Sequence, residues 1–148
     1  MAEVQGGRIV VGVDGSASSK AALAWAVRQA ALTGAEVDAV CAWQIPAAYG
    51  YGYAMTLAIP DLEKAAASEL SQAIAAVADE VPDIEIRPLV VQDNPAQALL
   101  DCAKGAGLLV VGNRGHGGFT GALLGSVGQH CAQHAECPVV IIRGPKPE

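Results

Sequence analysis

The sequence predicts an α/β fold, a doubly wound parallel sheet of five strands flanked by four helices. The first observation is that short β-branched runs alternate with longer Ala-rich segments along the chain, which is typical of repeated βαβ units. The second is that each connection exceeds the dozen or so residues that a parallel crossover requires. Because 148 residues suit one domain, we expect a single domain over residues 1–148, with its core over about 7–144.

Five runs have the length and composition of strands. In chain order they are Arg8 to Asp14, Glu36 to Trp43, Ile84 to Val91, Leu108 to Gly112 and Pro138 to Arg143. The first and fourth are almost entirely apolar, as in strands covered on both faces, so we expect them at the centre of the sheet. The third contains Pro88, which lacks the N–H that an inner strand needs and belongs at an edge. The predicted strand order is therefore 3-2-1-4-5.

The first and last helices are predicted from their end signals. The first is expected to begin at a cap on Ser16 or Ser18 and to end at Gly34, because Ser caps orphan amides and Gly adopts the left-handed backbone of a helix stop. The last helix is expected to begin near Gly125 and Ser126.

The two middle helices are predicted from periodicity and proline. The second is expected from about Asp61 to Asp79, ending before Pro82, since the residue before a proline avoids helical backbone. In the third, Asn94 is predicted to cap, Pro95 takes the first helical position and Gly105 ends the helix.

The fifth strand is predicted at the second edge of the sheet. It carries no charge before Arg143, and a bare apolar edge invites pairing with another chain. We therefore predict a homodimer joined along Val139 to Ile142. The alternative is that a loop or the C-terminal tail covers this edge.

The charge and composition exclude several classes of partner. Nine Lys and Arg against fifteen Asp and Glu give a formal net charge of -6, so we expect neither a nucleic-acid nor an anionic-membrane surface. No apolar run approaches the ~18 residues of a membrane span, and no basic segment followed by an apolar one opens the sequence. These features predict a cytoplasmic protein, and we expect no disulfide framework among its four Cys.

The segment after the fourth strand carries the chemistry. In open parallel sheets, ligands bind outside the carboxyl ends of the strands where the winding direction reverses, here between the first and fourth strands. The fourth strand continues into the glycine-rich segment from Gly112 to His130. Glycine lets the backbone approach a ligand closely, and a helix beginning at Gly125-Ser126 offers amides and the positive end of its dipole to a phosphate.

The glycine spacing is that of neither a P-loop nor a dinucleotide-binding turn, because the GxxxxGK(S/T) and GxGxxG motifs are missing. The order Gly112, two residues, Gly115, nine residues, Gly125-Ser126 instead resembles the motif of nucleotide-binding members of the universal stress protein family. The resemblance runs from VVGVDGSASSKAALAWA at residues 10–26 to CPVVIIR at 137–143. It implies a flavodoxin-like fold, binding of ATP or another adenine nucleotide, a regulatory or stress-response role, and dimers joined through the last strand.

The resemblance also implies roles for single residues. Asp14 matches the acidic residue expected to contact the ribose hydroxyls, and the main chain of Ala42 matches the position that addresses adenine. The remaining predicted site residues lie beside the base, in the phosphate loop or at the start of the last helix: Gly12, Val13, Val111, Gly112, Asn113, Arg114, Gly115, His116, Gly117, Gly118, Gly125, Ser126 and Val127. Among them His116, Gly117 and Gly118 are candidates by their position in the loop alone.

One position departs from the family pattern. Many nucleotide-binding relatives carry a Ser or Thr two residues after the motif Ser, where this chain has Gly128. Arg114 is the one obvious cation near the loop, and the charge of ATP in a low-dielectric pocket must be offset. Either Mg2+ accompanies the phosphates, or a less charged nucleotide such as AMP or cyclic AMP competes well.

Two further clusters invite other interpretations. His130 and His134 resemble half of a zinc site but lack a CxxC or HExxH frame, so we predict instead that they share a semi-buried helix stripe with Val127 and Cys131. The tyrosines of the Tyr49 to Tyr53 segment form either an aromatic flap over the base, a surface for a partner, or a loop without a fixed role.

Catalysis is the alternative to binding. A receiver-type phosphoacceptor at Asp14 would need an acidic magnesium pocket and a Lys near the last strand, and the other predicted strand ends supply neither. A slow ATP hydrolase is the alternative function, although no base and orienting partner are set by spacing.

Overall fold

The computed structural model describes residues 7–45, 53–114 and 124–144, and for residues 53–60 it describes the backbone. The described strands are β1 (Arg8–Gly12), β2 (Glu36–Trp43), β3 (Ile86–Gln92), β4 (Leu108–Gly112) and β5 (Val139–Ile142). The described helices are α1 (Ala17–Thr33), α2 (Tyr53–Ala78), α3 (Pro95–Cys102) and α4 (Ser126–His134). All neighbouring strands pair in parallel in the order β3-β2-β1-β4-β5. The predicted fold class and strand order are therefore confirmed.

Local capping chemistry sets the ends of α1. The Ser16 hydroxyl accepts a hydrogen bond from the Ser19 amide, so Ser16 and not Ser18 is the cap. Gly34 adopts a left-handed φ of 77° and donates its N–H to the Ala30 carbonyl at 2.8 Å. In α3, Asn94 caps as predicted and Pro95 follows it at the first helical position, but the helix ends at Cys102, before the predicted Gly105.

The predicted start of the second helix is wrong. The helix begins at Tyr53, eight residues before the expected Asp61, and it includes Pro60. Proline disfavours a helix interior by about 3 kcal/mol, but the Ala, Met and Leu residues before it are strong helix formers. Residues 49–52 of the tyrosine segment lie outside the described residues.

The two faces of the sheet are covered by different helix pairs. Consecutive strand residues face opposite sides of the sheet. Val11 accordingly packs in one apolar cluster with buried residues of α1 and α2, such as Leu23 and Leu70. Val10 packs instead with Leu99 of α3 and Cys131 of α4. β1 and β4 lie between the two apolar layers, which explains their uniformly apolar sequences.

A buried carboxylate, to which the sequence analysis assigned no role, joins three strands and a helix end. Asp38 of β2 is 2% exposed and accepts hydrogen bonds from Nη2 of Arg87 at 2.7 Å and from its Nε at 3.0 Å. Arg8 of β1 donates to the same carboxylate at 3.3 Å and to the carbonyls of Cys102 and Lys104 at 2.7 and 2.8 Å. The Asp38 side chain raises the pKa of Arg87 through its hydrogen bond and charge.

The predicted stripe of α4 is wrong at both histidines. His130 and His134 are exposed, whereas Gly128 and Cys131 are buried. The helix presents Gly128 and Cys131 to α3 and the sheet, because a residue of histidine's size at these positions would hold the layers apart. The described residues include no group of three or more His, Cys, Asp or Glu side chains placed to hold a metal ion.

None of the helices in the described ranges combines the length and the hydropathy needed to cross a bilayer. All four cysteines are free thiols. Burial is the largest cause that raises the pKa of the Cys41 and Cys131 thiols to about 11.

Candidate functional site

A cavity of about 360 Å³ opens at the carboxyl ends of β1, β2 and β4. This is the position where a doubly wound sheet binds ligands. The helices α3 and α4 close its sides. Its lining residues are Gly12, Val13, Asp14, Ser19, Val40, Ala42, Pro95, Leu99, Val111, Gly112, Arg114, Gly125, Ser126, Val127 and Gly128.

One part of the cavity wall is apolar. Val40 and Ala42 are two residues apart on β2 and therefore face the same side of the sheet. Leu99 of α3 and Val111 of β4 complete this surface. An apolar wall of this kind suits an aromatic ring, because burial removes ring surface from water.

The turn after β1 presents a carboxylate to the cavity. Gly15 adopts a φ of 83°, which turns the chain sharply from β1 into α1. Asp14 Oδ1 accepts a hydrogen bond from the Ser16 amide at 2.9 Å and another from the Ser16 hydroxyl. The Asp14 amide donates to the Ser19 hydroxyl at 3.2 Å. The carboxylate is thereby oriented through one oxygen, and the other has no hydrogen-bond partner among the described residues.

Negative charge also lies behind this turn. The carboxylate of Glu69, on α2, packs against Gly15 in the place that a Cβ atom would occupy. The charges of Glu69 and Asp14 add to burial in raising the pKa of the Cys41 thiol. Because this side of the site repels anions, it is suited to hydroxyl donors of a ligand, not to phosphate.

Positive charge is supplied to the cavity lining by Arg114, at the end that adjoins the start of α4. Its Nε atom is buried and has no hydrogen-bond partner among the described residues. A buried guanidinium N–H without an acceptor is costly, and phosphate and carboxylate oxygens are the acceptors that arginine binds best. Arg114 thus fits an anionic ligand group.

The start of α4 adds uncapped amides to this side. Gly125 precedes the helix with no side-chain cap on its first turn, so amides of the first turn are available to a ligand. The Gly125 amide itself donates to the Asn113 carbonyl at 2.6 Å. This bond closes the base of the connection between β4 and α4, and it places Arg114 and the helix start at the same end of the cavity.

The structure brings together most of the predicted site residues. The predicted residues that line the cavity are Gly12, Val13, Asp14, Ala42, Val111, Gly112, Arg114, Gly125, Ser126 and Val127. Asn113 instead points to the end of β5, where its Oδ1 accepts from the Gly144 amide at 3.3 Å. The predicted loop residues Gly115, His116, Gly117 and Gly118 lie outside the described residues.

Sequence reasoning missed five lining residues. They are Ser19, Val40, Pro95, Leu99 and Gly128. Val40 was discoverable from its spacing of two to Ala42, and Leu99 from its spacing of four to Pro95 on α3. Gly128 was noted for the hydroxyl that it lacks, but its burial under the Leu124 side chain depends on tertiary packing.

A second, smaller cavity of about 230 Å³ adjoins the first across Ser126 and Val127. Asn94, Ala96 and His130 complete its lining. His130 therefore lines a groove between α3 and α4 and does not lie on the semi-buried stripe predicted for it.

Comparisons with known proteins agree with this fold. The sequence model of the universal stress protein family matches residues 7–143. Universal stress protein Rv2623 of Mycobacterium tuberculosis is 35% identical over 136 residues, which are 91% of this chain and 44% of that protein. A universal stress protein of Mycolicibacterium smegmatis is 34% identical over 139 residues, 91% of this chain and 45% of that protein. The chain thus spans less than half the length of these curated relatives.

Solved structures give the same result. UspA from Lactobacillus plantarum has a TM-score of 0.73 at 24% identity, covering 94% of this chain and 99% of its own, and so supports the fold. A universal stress protein crystallised in complex with cAMP has a TM-score of 0.60 at 33% identity, covering 95% of this chain and 99% of its own. The match of the family model to residues 7–143 is decisive, and the chain belongs to the universal stress protein family.

Proposed function

We propose that the chain binds an adenine nucleotide in the cavity at the ends of β1, β2 and β4, and that it acts as a regulatory or stress-response module. The observation that carries the proposal is the placement of three chemistries around one cavity. An apolar wall at Val40 and Ala42 suits adenine, the Asp14 carboxylate suits ribose hydroxyls, and Arg114 suits phosphate. The relative crystallised with cAMP supports the same class of ligand.

The charge of the site favours a nucleotide with few phosphates. Arg114 is the one cationic side chain in the cavity lining that the structure describes, and Asp14 opposes it. Each additional phosphate adds charge that this lining does not offset. We therefore propose AMP or cyclic AMP as strong competitors of ATP, with Mg2+ accompanying the phosphates when ATP is bound.

Titration calorimetry on the wild-type chain tests this proposal. We expect one binding site for cyclic AMP, AMP and ATP, with ATP gaining affinity when Mg2+ is added. ATP binding much more tightly than AMP or cyclic AMP without Mg2+ would contradict the charge argument. Absence of binding by all three nucleotides would contradict the proposed function itself.

The role of Asp14 has its own test. Because a hydrogen bond to a charged acceptor contributes about 1.5 to 3 kcal/mol, Asp14→Ala is expected to weaken AMP binding about 10-fold or more. It should scarcely weaken 2',3'-dideoxyadenosine monophosphate, which lacks the ribose hydroxyls. Asp79→Asn, an exposed change beyond the end of α2, serves as the control. Equal losses for the two nucleotides would show that Asp14 does not read the ribose.

Hydrolysis is measured on the same proteins. We expect the nucleotide to be bound and retained, so phosphate release from ATP should stay at background. Turnover that is present in the wild type and lost in Asp14→Ala would instead establish the slow ATP hydrolase.

We also propose that two copies pair along β5. In the described residues β5 is paired with β4 alone, through bonds of the Pro138 and Ile142 carbonyls at 3.0 and 2.9 Å. Since these groups alternate along a strand, the N–H groups of Val139 and Ile141 face away from β4. The free edge can therefore form a continuous sheet with a second copy.

Ile141→Pro tests this dimer, because it removes one outward N–H without touching the bonds to β4. Sedimentation equilibrium should show a dimer for the wild type and a monomer for the variant. Leu32→Ser, which removes the exposed leucine of α1, is the control and should stay dimeric. A monomeric wild type would contradict the proposal.

A further inference from the structure

Ser18 lies in the first turn of α1, outside the cavity lining, and is 5% exposed. Its hydroxyl donates a hydrogen bond to the Arg114 carbonyl at 2.6 Å. The same hydroxyl accepts from the Arg114 amide at 3.3 Å. Both hydrogen-bonding functions of one buried serine are thus directed at the main chain of one residue.

The position of this hydroxyl is set by close packing on two sides. A Cβ atom on Gly112 would lie 2.7 Å from the Ser18 carbonyl carbon, and one on Gly144 would lie 2.8 Å from the Ser18 Cα. The backbone of Ser18 is therefore seated between the end of β4 and the residue that follows β5. Asn113 holds these two segments together through its bonds to Ile142 and Gly144.

The neighbouring Ser16 does not duplicate this role. Its hydroxyl lies 3.3 Å from the Arg114 carbonyl, but it has one hydrogen and the Asp14 carboxylate accepts it at a shorter distance. The two serines therefore have different roles: Ser16 orients the Asp14 carboxylate, and Ser18 holds the main chain of Arg114.

We propose that Ser18 is a positioning residue that holds Arg114 ready for the phosphate of the nucleotide. This inference rests on the proposed function and extends it to a residue that does not touch the ligand. Arg114 lines the cavity, and its buried Nε has no partner among the described residues. A main chain held by Ser18 reduces the freedom that the guanidinium loses when an anion binds, which is the general benefit of preorganisation.

The test compares two ligands that differ by one phosphate. Ser18→Ala is expected to weaken AMP about 5- to 10-fold, the effect of losing one or two neutral hydrogen bonds. Adenosine should change by less than about 2-fold, because it offers no group to Arg114. Ser71→Ala, an exposed serine on α2, is the control and should alter neither affinity.

A double-mutant cycle tests whether Ser18 acts through Arg114. In the Arg114→Gln background, Ser18→Ala should weaken AMP by less than about 2-fold. Losses that multiply in the double variant, or equal losses for AMP and adenosine in Ser18→Ala, would overturn the proposal. If Ser18→Ala does not fold, Ser18→Cys, which fills the site with a somewhat larger sulfur that is a weak donor and acceptor, takes its place with the same expected pattern.

A measurement without ligand separates this proposal from the proposed function. Amide hydrogen exchange at Arg114 should be several-fold faster in Ser18→Ala than in the wild type, since the amide loses its acceptor. Unchanged exchange would overturn the role of Ser18 even if the wild type binds AMP. A wild type that binds no adenine nucleotide would overturn the proposed function, and the role of Ser18 in binding with it, whatever the exchange shows.

Discussion

Gly112, the last residue of β4, tests whether the close contact between the sheet and α1 holds the site together. Gly112→Ala would place a methyl carbon 2.7 Å from the Ser18 carbonyl carbon and 2.8 Å from the Ser19 nitrogen. Both atoms belong to helix backbone, which cannot rotate away as a side chain does. The first turn of α1 or the end of β4 must therefore move.

The magnitude follows from the same contacts. Overpacking a well-packed interior costs about 1 to 3 kcal/mol, and a clash with backbone belongs at the upper end of that range. For a chain of this size, 3 kcal/mol corresponds to a fall in Tm of about 6 to 12 °C. The shift also displaces Ser18 from Arg114, so AMP affinity should fall by about 10-fold.

Gly107→Ala is the matched control. Neither glycine has a positive φ, and a Cβ on Gly107 would lie 3.9 Å from the Arg8 carbonyl oxygen, an ordinary contact. Gly12→Ala is an intermediate case, because its Cβ would lie 2.9 Å from Cδ1 of Leu99, a side chain that can turn.

Urea denaturation followed by circular dichroism gives the free energy of unfolding of the three variants. We expect the loss to be largest for Gly112→Ala, about 1 kcal/mol for Gly12→Ala and close to zero for Gly107→Ala. Equal midpoints for Gly112→Ala and Gly107→Ala would refute the packing argument.

Three further predictions follow from the buried charge and the thiols. Asp38→Asn replaces the buried carboxylate that two arginines share by a neutral amide and should lower the free energy of unfolding by about 1 to 3 kcal/mol, whereas Asp79→Asn should not change it; equal urea midpoints would contradict this. Because burial raises the pKa of Cys41 and Cys131 to about 11, their alkylation by iodoacetamide at pH 8 should be about 100-fold slower in the folded than in the urea-unfolded chain. Peptide mass spectrometry that finds equal rates would refute their burial. Because the pKa of both thiols is higher in the folded chain, the unfolded chain loses its thiol protons at lower pH. The free energy of unfolding should therefore be fully maintained below pH 9 and fall between about pH 9 and pH 11. Replacing both cysteines by Ala should make this fall less steep, and an unchanged slope would show that other groups cause it.

The sheet was predictable because its evidence is local. Val10 and Val11 are buried on opposite faces, and the uniformly apolar strand that results is visible in the sequence. Pro88 marks an edge strand for the equally local reason that it lacks a donor. The caps at Ser16 and Asn94 also depend on a few adjacent residues.

Features that depend on tertiary packing were not predictable in the same way. The start of α2 was predicted at about Asp61, yet the helix begins at Tyr53 and includes Pro60, a residue that disfavours a helix interior. The predicted stripe of α4 included Cys131 correctly but also the two histidines, because periodicity cannot show that Gly128 faces the close contact in their place.

The residues of the candidate site also differ in whether they could be predicted from local sequence. Asp14 and Gly112 follow from strand ends and motif spacing. The contact of Ser18 with Arg114 does not, since it depends on which helix turn packs against which strand end. Asp38 pairs with Arg8 and Arg87, which lie on the two neighbouring strands. Such a pairing becomes apparent only when the order of the strands is known.

A crystal structure of the chain grown with AMP tests the central claim most directly. We expect the nucleotide in the cavity at the ends of β1, β2 and β4, with adenine against Val40 and Ala42, a ribose hydroxyl on Asp14 and the phosphate on Arg114. A nucleotide bound elsewhere on the chain, or reversed so that its phosphate lies at Asp14, would contradict the account.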